Sequence, residues 1–262
     1  MIRNIIICCC VIAVQCEEFS DFNFNTSRLA KYSSFVNISS ADPAMVSIRA
    51  IILGAPGSGK GTISEKIRKN FIINYISSGD ILRTNIANKT ELGKKIESQV
   101  SSGQLVSDDV MNDLIKSELN KTSLPWLLDG YPRTLPQAEK LSRDFDINLV
   151  LNLVVPFEVI IERLKSRWIH LPSGRVYNIG FNDPKTPGFD DITNEPLTQR
   201  EDDKPDVVKK RLDTYSATIN PVIDFYSKKN DVLHTFKGNT SKEIWSELSQ
   251  FLLKKIKLID PN

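Results

Sequence analysis

From Glu17 onward the chain has no cysteine; all four, Cys8, Cys9, Cys10 and Cys16, lie in its first sixteen residues. The body therefore contains no disulfide, no thiolate zinc site and no cysteine nucleophile, and its folding is indifferent to redox compartment. An excess of charge of one sign is missing too. With 34 Lys+Arg against 32 Asp+Glu, the net charge is +2, which gives no general attraction for nucleic acid or an anionic membrane. Any polyanion site must come from local clustering of cations. There is no internal repeat and no low-complexity tract, and the apolar run Ile5 to Val14 is too short to span a bilayer comfortably. What remains, 262 residues of which 40% are hydrophobic and 25% charged, is ordinary globular material with enough for one substantial core.

Residues 1 to 16 join Arg3 to an apolar run about as long as the core of a secretory signal, and residues 17 to 44 are polar and acidic without a periodic apolar face. This is not the arginine-rich, acid-poor pattern of a mitochondrial transit peptide. Residues 1–45 are thus read as an extension, either a secretory signal with its flank or an upstream segment with Met45 the working start. From Val46 strands and helices alternate as in an α/β domain. The pattern predicts a strand over Ala50-Ile51-Ile52-Leu53, a helix ending at Asn70, a short strand at Tyr75-Ile76, and helices over Glu91 to Val100 and Asp109 to Leu119. Strands follow at Trp126 to Asp129 and Leu149 to Val155, then a helix from Phe157 to Arg167. Residues 168–205 are proline-rich with short β-like pieces, which suits a lid or small subdomain. Pro205 opens a helix to about Lys229, followed by a strand Val232 to Phe236, a helix Ser241 to Lys257 and a tail, 258–262.

The chain is organised around Gly54-Ala55-Pro56-Gly57-Ser58-Gly59-Lys60-Gly61-Thr62, set between a strand and a helix. The spacing GxxxxGK is that of a phosphate-binding P-loop: glycines let successive N–H groups face phosphate oxygens, and the helix N-terminus adds its positive end. Lys60 would reach the β/γ-phosphates and Thr62 a Mg²⁺ ion carried with a triphosphate. Asp129 closes an apolar strand where a carboxylate can hold Mg²⁺ through its waters. Arg133 follows in a proline-fixed turn, and Arg163, Arg167, Arg200 and Arg211 bracket residues 168–205. Arg163 and Arg167, four apart in the predicted helix, are expected on one face. Arginine, always charged and fork-shaped, suits phosphoryl groups. Gly174-Arg175-Val176-Tyr177 reads as a hairpin turn followed by an aromatic suited to stacking on a base, or to ordinary packing. His170, Ser173, Asp190 and Thr193 have the spacing of a zinc knuckle but the wrong chemistry for one. A hydrogen-bonded network pinning the lid is expected there, with no structural zinc.

These stretches, with Ser77-Ser78-Gly79-Asp80, Asp129-Gly130-Tyr131-Pro132-Arg133-Thr134 and Gln199-Arg200-Glu201-Asp202-Asp203, resemble the adenylate kinase family in its long-lid form over roughly residues 47 to 257. The part from Arg167 to Pro205 is especially similar to the mitochondrial GTP:AMP phosphotransferase branch. The resemblance implies an α/β P-loop nucleoside-monophosphate kinase: a five-stranded parallel sheet flanked by helices, a kinase domain over 46–257, a helical AMP-binding insert at 77–106 and a β-rich lid at 168–205. It implies transfer of the γ-phosphoryl of GTP or ITP to AMP, with ATP as alternative donor and a non-catalytic nucleotide-binding protein as second alternative. Catalytic roles would fall to Lys60, Arg133, Arg163, Arg167, Arg200 and Arg211. The donor would be held by Gly57, Ser58, Gly59, Lys60, Gly61, Thr62, Arg167, Val176 and Tyr177, with Thr240 and Ser241 near its base. AMP would be held by Ser78, Arg83, Gln104, Leu105, Val106, Gly130, Tyr131, Pro132, Arg133, Gln137, Arg200 and Arg211. Mg²⁺ would come with the nucleotide and touch Asp129 through water. The implied protein is a monomer of the mitochondrial matrix with small-molecule partners, no nucleic acid and no membrane; a secretory location is the alternative raised by residues 1 to 16. Three residues depart from the family pattern: Tyr131 replaces a Phe, and Asp183 and Asn194 replace a Pro and a Gly, which predicts a looser lid.

Overall fold

The computed structural model describes residues 48–259 except 72, 123, 124 and 181. The expected extension at 1–45 and the end of the tail lie outside the described residues. Within the compact unit Val46–Asn262, the strands are β1 (Arg49–Gly54), β2 (Asn74–Ser77), β3 (Trp126–Asp129), β4 (Leu149–Val154), β5 (Arg167–His170), β6 (Arg175–Asn178) and β7 (Leu233–Lys237). The helices are α1 (Lys60–Asn70), α2 (Ser78–Ala87), α3 (Glu91–Ser101), α4 (Asp108–Leu119), α5 (Leu135–Asp144), α6 (Phe157–Lys165), α7 (Pro205–Ser227) and α8 (Ser241–Ile259).

Five strands form one parallel sheet in the order β2-β3-β1-β4-β7. Their apolar runs are continuous because helices cover both faces. Ile51, Leu128 and Val150 point into one core with α2 to α5 and the end of α7; Ile52, Leu127 and Leu151 point into the other with α1, α6 and α8. From β1 the chain passes first to one side of the sheet and later, through β4, to the other. That reversal opens a crevice at the carboxyl ends of the strands, where ligands of such sheets bind. Gly54 and Asp129, the last residues of β1 and β3, stand at its edge.

The lid is a β5-β6 antiparallel hairpin followed by turns and a 3-10 turn, Glu201–Asp203. Here one sequence expectation is corrected. The helix ends at Lys165, and Arg167 opens β5 instead of sharing a helical face with Arg163. Two backbone carbonyls that a longer helix would use are taken by the lid: Asn178 Nδ2 donates to Arg163 O at 2.8 Å, and Ile179 N to Ser166 O at 3.0 Å.

The expected network is present. His170 Nδ1 meets Ser173 Oγ at 2.7 Å, and Asp190 receives Arg175 Nε at 2.7 Å, the Tyr177 hydroxyl at 2.9 Å and the Thr193 hydroxyl at 3.0 Å. The two lid departures each find a local accommodation. Asp183 Oδ1 accepts from Gly180 N at 3.0 Å, and Asn194 takes φ 57°, a left-handed conformation that asparagine tolerates.

Candidate active site

The P-loop runs from β1 into α1, and its glycines answer to neighbours as much as to phosphate. Gly57 and Gly59 have φ of 84° and 91°. A Cβ at Gly57 would lie 2.8 Å from Leu164 Cγ, and one at Gly59 2.6 Å from Ser241 Oγ. α1 has no acidic residue in its first turn, so its positive end is left for an anion. Lys60 opens that helix and donates across the loop to Gly54 O at 2.8 Å and Ala55 O at 3.1 Å. Burial lowers its pKa to about 8; Asp129 works against the shift, and Arg133, Arg211 and Arg167 add to it. One charge cluster therefore holds Lys60, Arg133, Arg167, Arg211 and Asp129. The Ser58 hydroxyl is buried without a hydrogen-bond partner, and Thr62 is exposed on α1.

Asp129 is 7% exposed, and its Oδ2 accepts from the Tyr75 hydroxyl at 2.8 Å. Burial, then Asp129 itself, pushes the Tyr75 phenol well above its ordinary range. Asp129 puts a hard carboxylate oxygen at the end of β3, the kind of donor that suits Mg²⁺ directly or through its waters.

On the β2-β3 side, Ser77 Oγ caps α2 by accepting from Asp80 N at 3.2 Å, and Arg83 pairs with Asp80 one turn along. Burial and the charge of Arg200 lower the Arg83 pKa, against Asp80. Gly130 lies so close that a Cβ would meet Ser78 Oγ at 2.7 Å and Arg133 Nη2 at 3.2 Å. Arg133 Nε donates to Gly130 O at 2.7 Å, shaping the turn that carries it. Of the residues expected to touch AMP, Ser78, Arg83, Gly130 and Arg133 come together here. Gln104 is exposed and Leu105 half-buried on the segment after α3.

Four residues from that set sit behind the surface. Tyr131, 2% exposed, packs in the core with its hydroxyl bonded to Asn112 Oδ1; Pro132 and Val106 are buried as well. Gln137 is occupied at both ends, accepting from Arg133 N at 2.7 Å and donating to Asp108 Oδ1 at 2.7 Å. These residues shape the turn.

At the lid base, Arg167 forms a two-pronged pair with Asp203, its Nε at 2.7 Å. Arg200 and Arg211 share Asp202, at 3.2 and 3.0 Å. Burial opposes ionisation of Asp202, but Arg200, Arg211, Arg167 and Arg83 together hold it down at about 2. Burial and like charges lower Arg167 and Arg211 to about 10, against their aspartate partners.

Two donor-side expectations are corrected. Arg163 is not aimed at a transferring group: it donates to Gly57 O at 3.4 Å and Asn239 O at 2.5 Å, bracing the P-loop against the segment before α8. Tyr177 is 5% exposed with its hydroxyl on Asp190, so it packs the lid instead of offering a face to a base; Val176, its half-buried neighbour, alternates to the other side. Ser241 touches the P-loop at Gly59, while the Thr240 hydroxyl caps α8 by accepting from Glu243 N at 3.1 Å. Sequence reasoning gave no role to Tyr75, Asp108, Asp202 or Asp203. The adjacent aspartates after Arg200 were the available signal, since arginines gathered around one anion site need counter-charges between them.

A family model described as adenylate kinase matches residues 52–231. "GTP:AMP phosphotransferase, mitochondrial" of Drosophila melanogaster is 53% identical over 209 residues, 79% of this chain and 96% of that protein. The Saccharomyces cerevisiae protein of the same description is 46% identical over 209 residues, 76% and 92% of the two chains. "Adenylate kinase 4" of Arabidopsis thaliana is 43% identical over 211 residues, 78% and 86%.

Proposed function

The chain belongs to the adenylate kinase family, and from that premise we propose that it transfers the γ-phosphoryl of GTP, or of ITP, to AMP, giving GDP and ADP. The observation that carries the reading is the placement of the cations: Lys60 on the P-loop carbonyls of Gly54 and Ala55, Arg133 turned back on Gly130 O after β3, and Arg167, Arg200 and Arg211 paired with Asp203 and Asp202 at the lid base. Such chemistry needs little covalent help. An oxygen of the AMP phosphate attacks the γ-phosphorus, the bond to the bridging oxygen of GDP breaks, and positioned cations stabilise the charge on the way.

Residues 57–62 hold the donor phosphates in this proposal. Lys60 follows the transferring group, Arg167, Arg200 and Arg211 close on it, and Ser78, Arg83, Gln104, Leu105, Gly130 and Arg133 hold AMP. Mg²⁺ carried with the nucleotide would neutralise oxygens of the donor, with Asp129 holding it through water and Thr62 beside it. Closure of the 168–205 lid over the insert 77–106 excludes water and prevents wasteful hydrolysis. In this proposal the protein works as a monomer in the mitochondrial matrix; the printed names of its relatives support a mitochondrial location. Among the described residues no helix is long and apolar enough to cross a membrane. N-terminal sequencing of the mature protein tests the location: a start near Met45 supports it, and a cut near Cys16 supports secretion instead.

ATP is the competing donor, favoured by the Arabidopsis relative's description as an adenylate kinase. Comparison of kcat/KM for GTP, ITP and ATP at fixed AMP is expected to favour GTP; a clear preference for ATP overturns the donor assignment. If no ADP formed while a bisubstrate dinucleotide still bound, the chain would be a binding protein on this fold.

A further inference from the structure

Tyr75 stands on the edge strand β2, two residues before Ser77, which pairs in register with Asp129 of β3. Side chains two apart on a strand share a face, and a tyrosine is long enough to reach its diagonal neighbour on the next strand. The phenol spans that diagonal, and its hydroxyl donates to Asp129 Oδ2 at 2.8 Å. Its ring is held from outside the sheet by Arg68, in the last turn of α1, whose guanidinium carbon lies 5.7 Å from the ring centroid. The helix that begins with Lys60 thus ends by fixing the side chain that fixes Asp129.

We infer that Tyr75 is a positioning residue for the divalent cation that accompanies the donor nucleotide. By engaging Oδ2 it locks the rotation of the Asp129 carboxylate and leaves Oδ1 to receive a hydrogen bond from the cation's hydration shell. This rests on the functional reading above, in which Asp129 meets that cation through water. A contact through water is directional, and a carboxylate free to turn must be ordered each time the cation arrives; a carboxylate held by a neighbour arrives ordered. Packing alone does not account for the hydroxyl, since a phenylalanine would fill the same diagonal and offer Arg68 the same ring face.

The test is titration of the full chain with a fluorescent GTP analogue, with and without Mg²⁺, on the wild type and Tyr75→Phe. Without Mg²⁺ the two are expected to bind within about twofold of each other, and with Mg²⁺ the tightening in Tyr75→Phe is expected to be smaller by about tenfold. AMP affinity should be unchanged, and in an Asp129→Asn background Tyr75→Phe should add nothing. Equal Mg²⁺-dependent tightening in wild type and Tyr75→Phe overturns the role of Tyr75 alone. An equal loss with and without Mg²⁺ makes Tyr75 a structural residue and overturns it too. If Mg²⁺ fails to tighten the analogue on the wild type, the assignment of Asp129 falls and this inference falls with it.

Discussion

Lys60 is half-buried among like charges, so its ammonium loses its charge closer to neutral pH than that of an ordinary lysine. Its pKa of about 8 in the free protein means that the charged form dominates below that pH and is lost as pH rises through it. kcat/KM for the donor, which reports free enzyme, is expected to be level up to about pH 8 and then to fall roughly tenfold per unit. kcat should break at higher pH, because a bound triphosphate favours the charged amine. A pH profile of both parameters checks this, and a kcat/KM flat to pH 10 refutes it. Lys60→Ala should lower kcat by about 10²- to 10³-fold while leaving AMP affinity within about twofold in direct titration. At this scale the glycine loop with Lys60 was legible because phosphate binding demands particular residue types at fixed spacing, whereas the arginines were legible as a set and not one by one: Arg163 turns to brace the loop. The fate of Tyr131 was not legible: its hydroxyl finds Asn112 on α4, a partner that no local pattern announces.

Gly93 on α3 controls how closely that helix approaches α2, which carries Arg83. A Cβ there would lie 2.0 Å from Asn85 O, a backbone atom that cannot swing aside. Gly93→Ala is therefore expected to push the two helices apart, to cost about 2–3 kcal/mol in denaturant melts, and to raise KM for AMP more than KM for the donor. An unchanged AMP KM would detach the helix pair from acceptor binding. Elements of this kind were largely readable, since apolar periodicity and proline positions mark helices and buried strands. The boundary at Lys165 was not, because its cause is remote: Asn178, fifteen residues after Arg163, captures the Arg163 carbonyl, and Arg167 falls in a strand. That change of element separates two arginines that an ideal helix would have aligned.

In the molecule as a whole, Arg167 and Asp203 clasp the two ends of the lid where it leaves and rejoins the core, and both are largely withdrawn from water, at 11% and 4% side-chain exposure. Asp203→Ala leaves the Arg167 charge without its partner and is expected to cost about 3 kcal/mol of unfolding free energy. Urea melts of the variant check this, and a loss under 1 kcal/mol would make the clasp an exposed, weak pair. The overall architecture was legible from the alternation of strands and helices; the clasp was not, because the sequence shows charges and not which pairs will be shut away from solvent. The bracing of the P-loop by Arg163 has a consequence in time. Gly57 follows the first described strand, whereas Asn239 and Ser241, which complete the support of the loop, stand at the start of the last helix. A ribosome delivers the loop early and its supports late, and β4 lacks its outer neighbour until β7 emerges. The nascent chain therefore carries a glycine loop that lacks part of its bracing until the segment before α8 has been made.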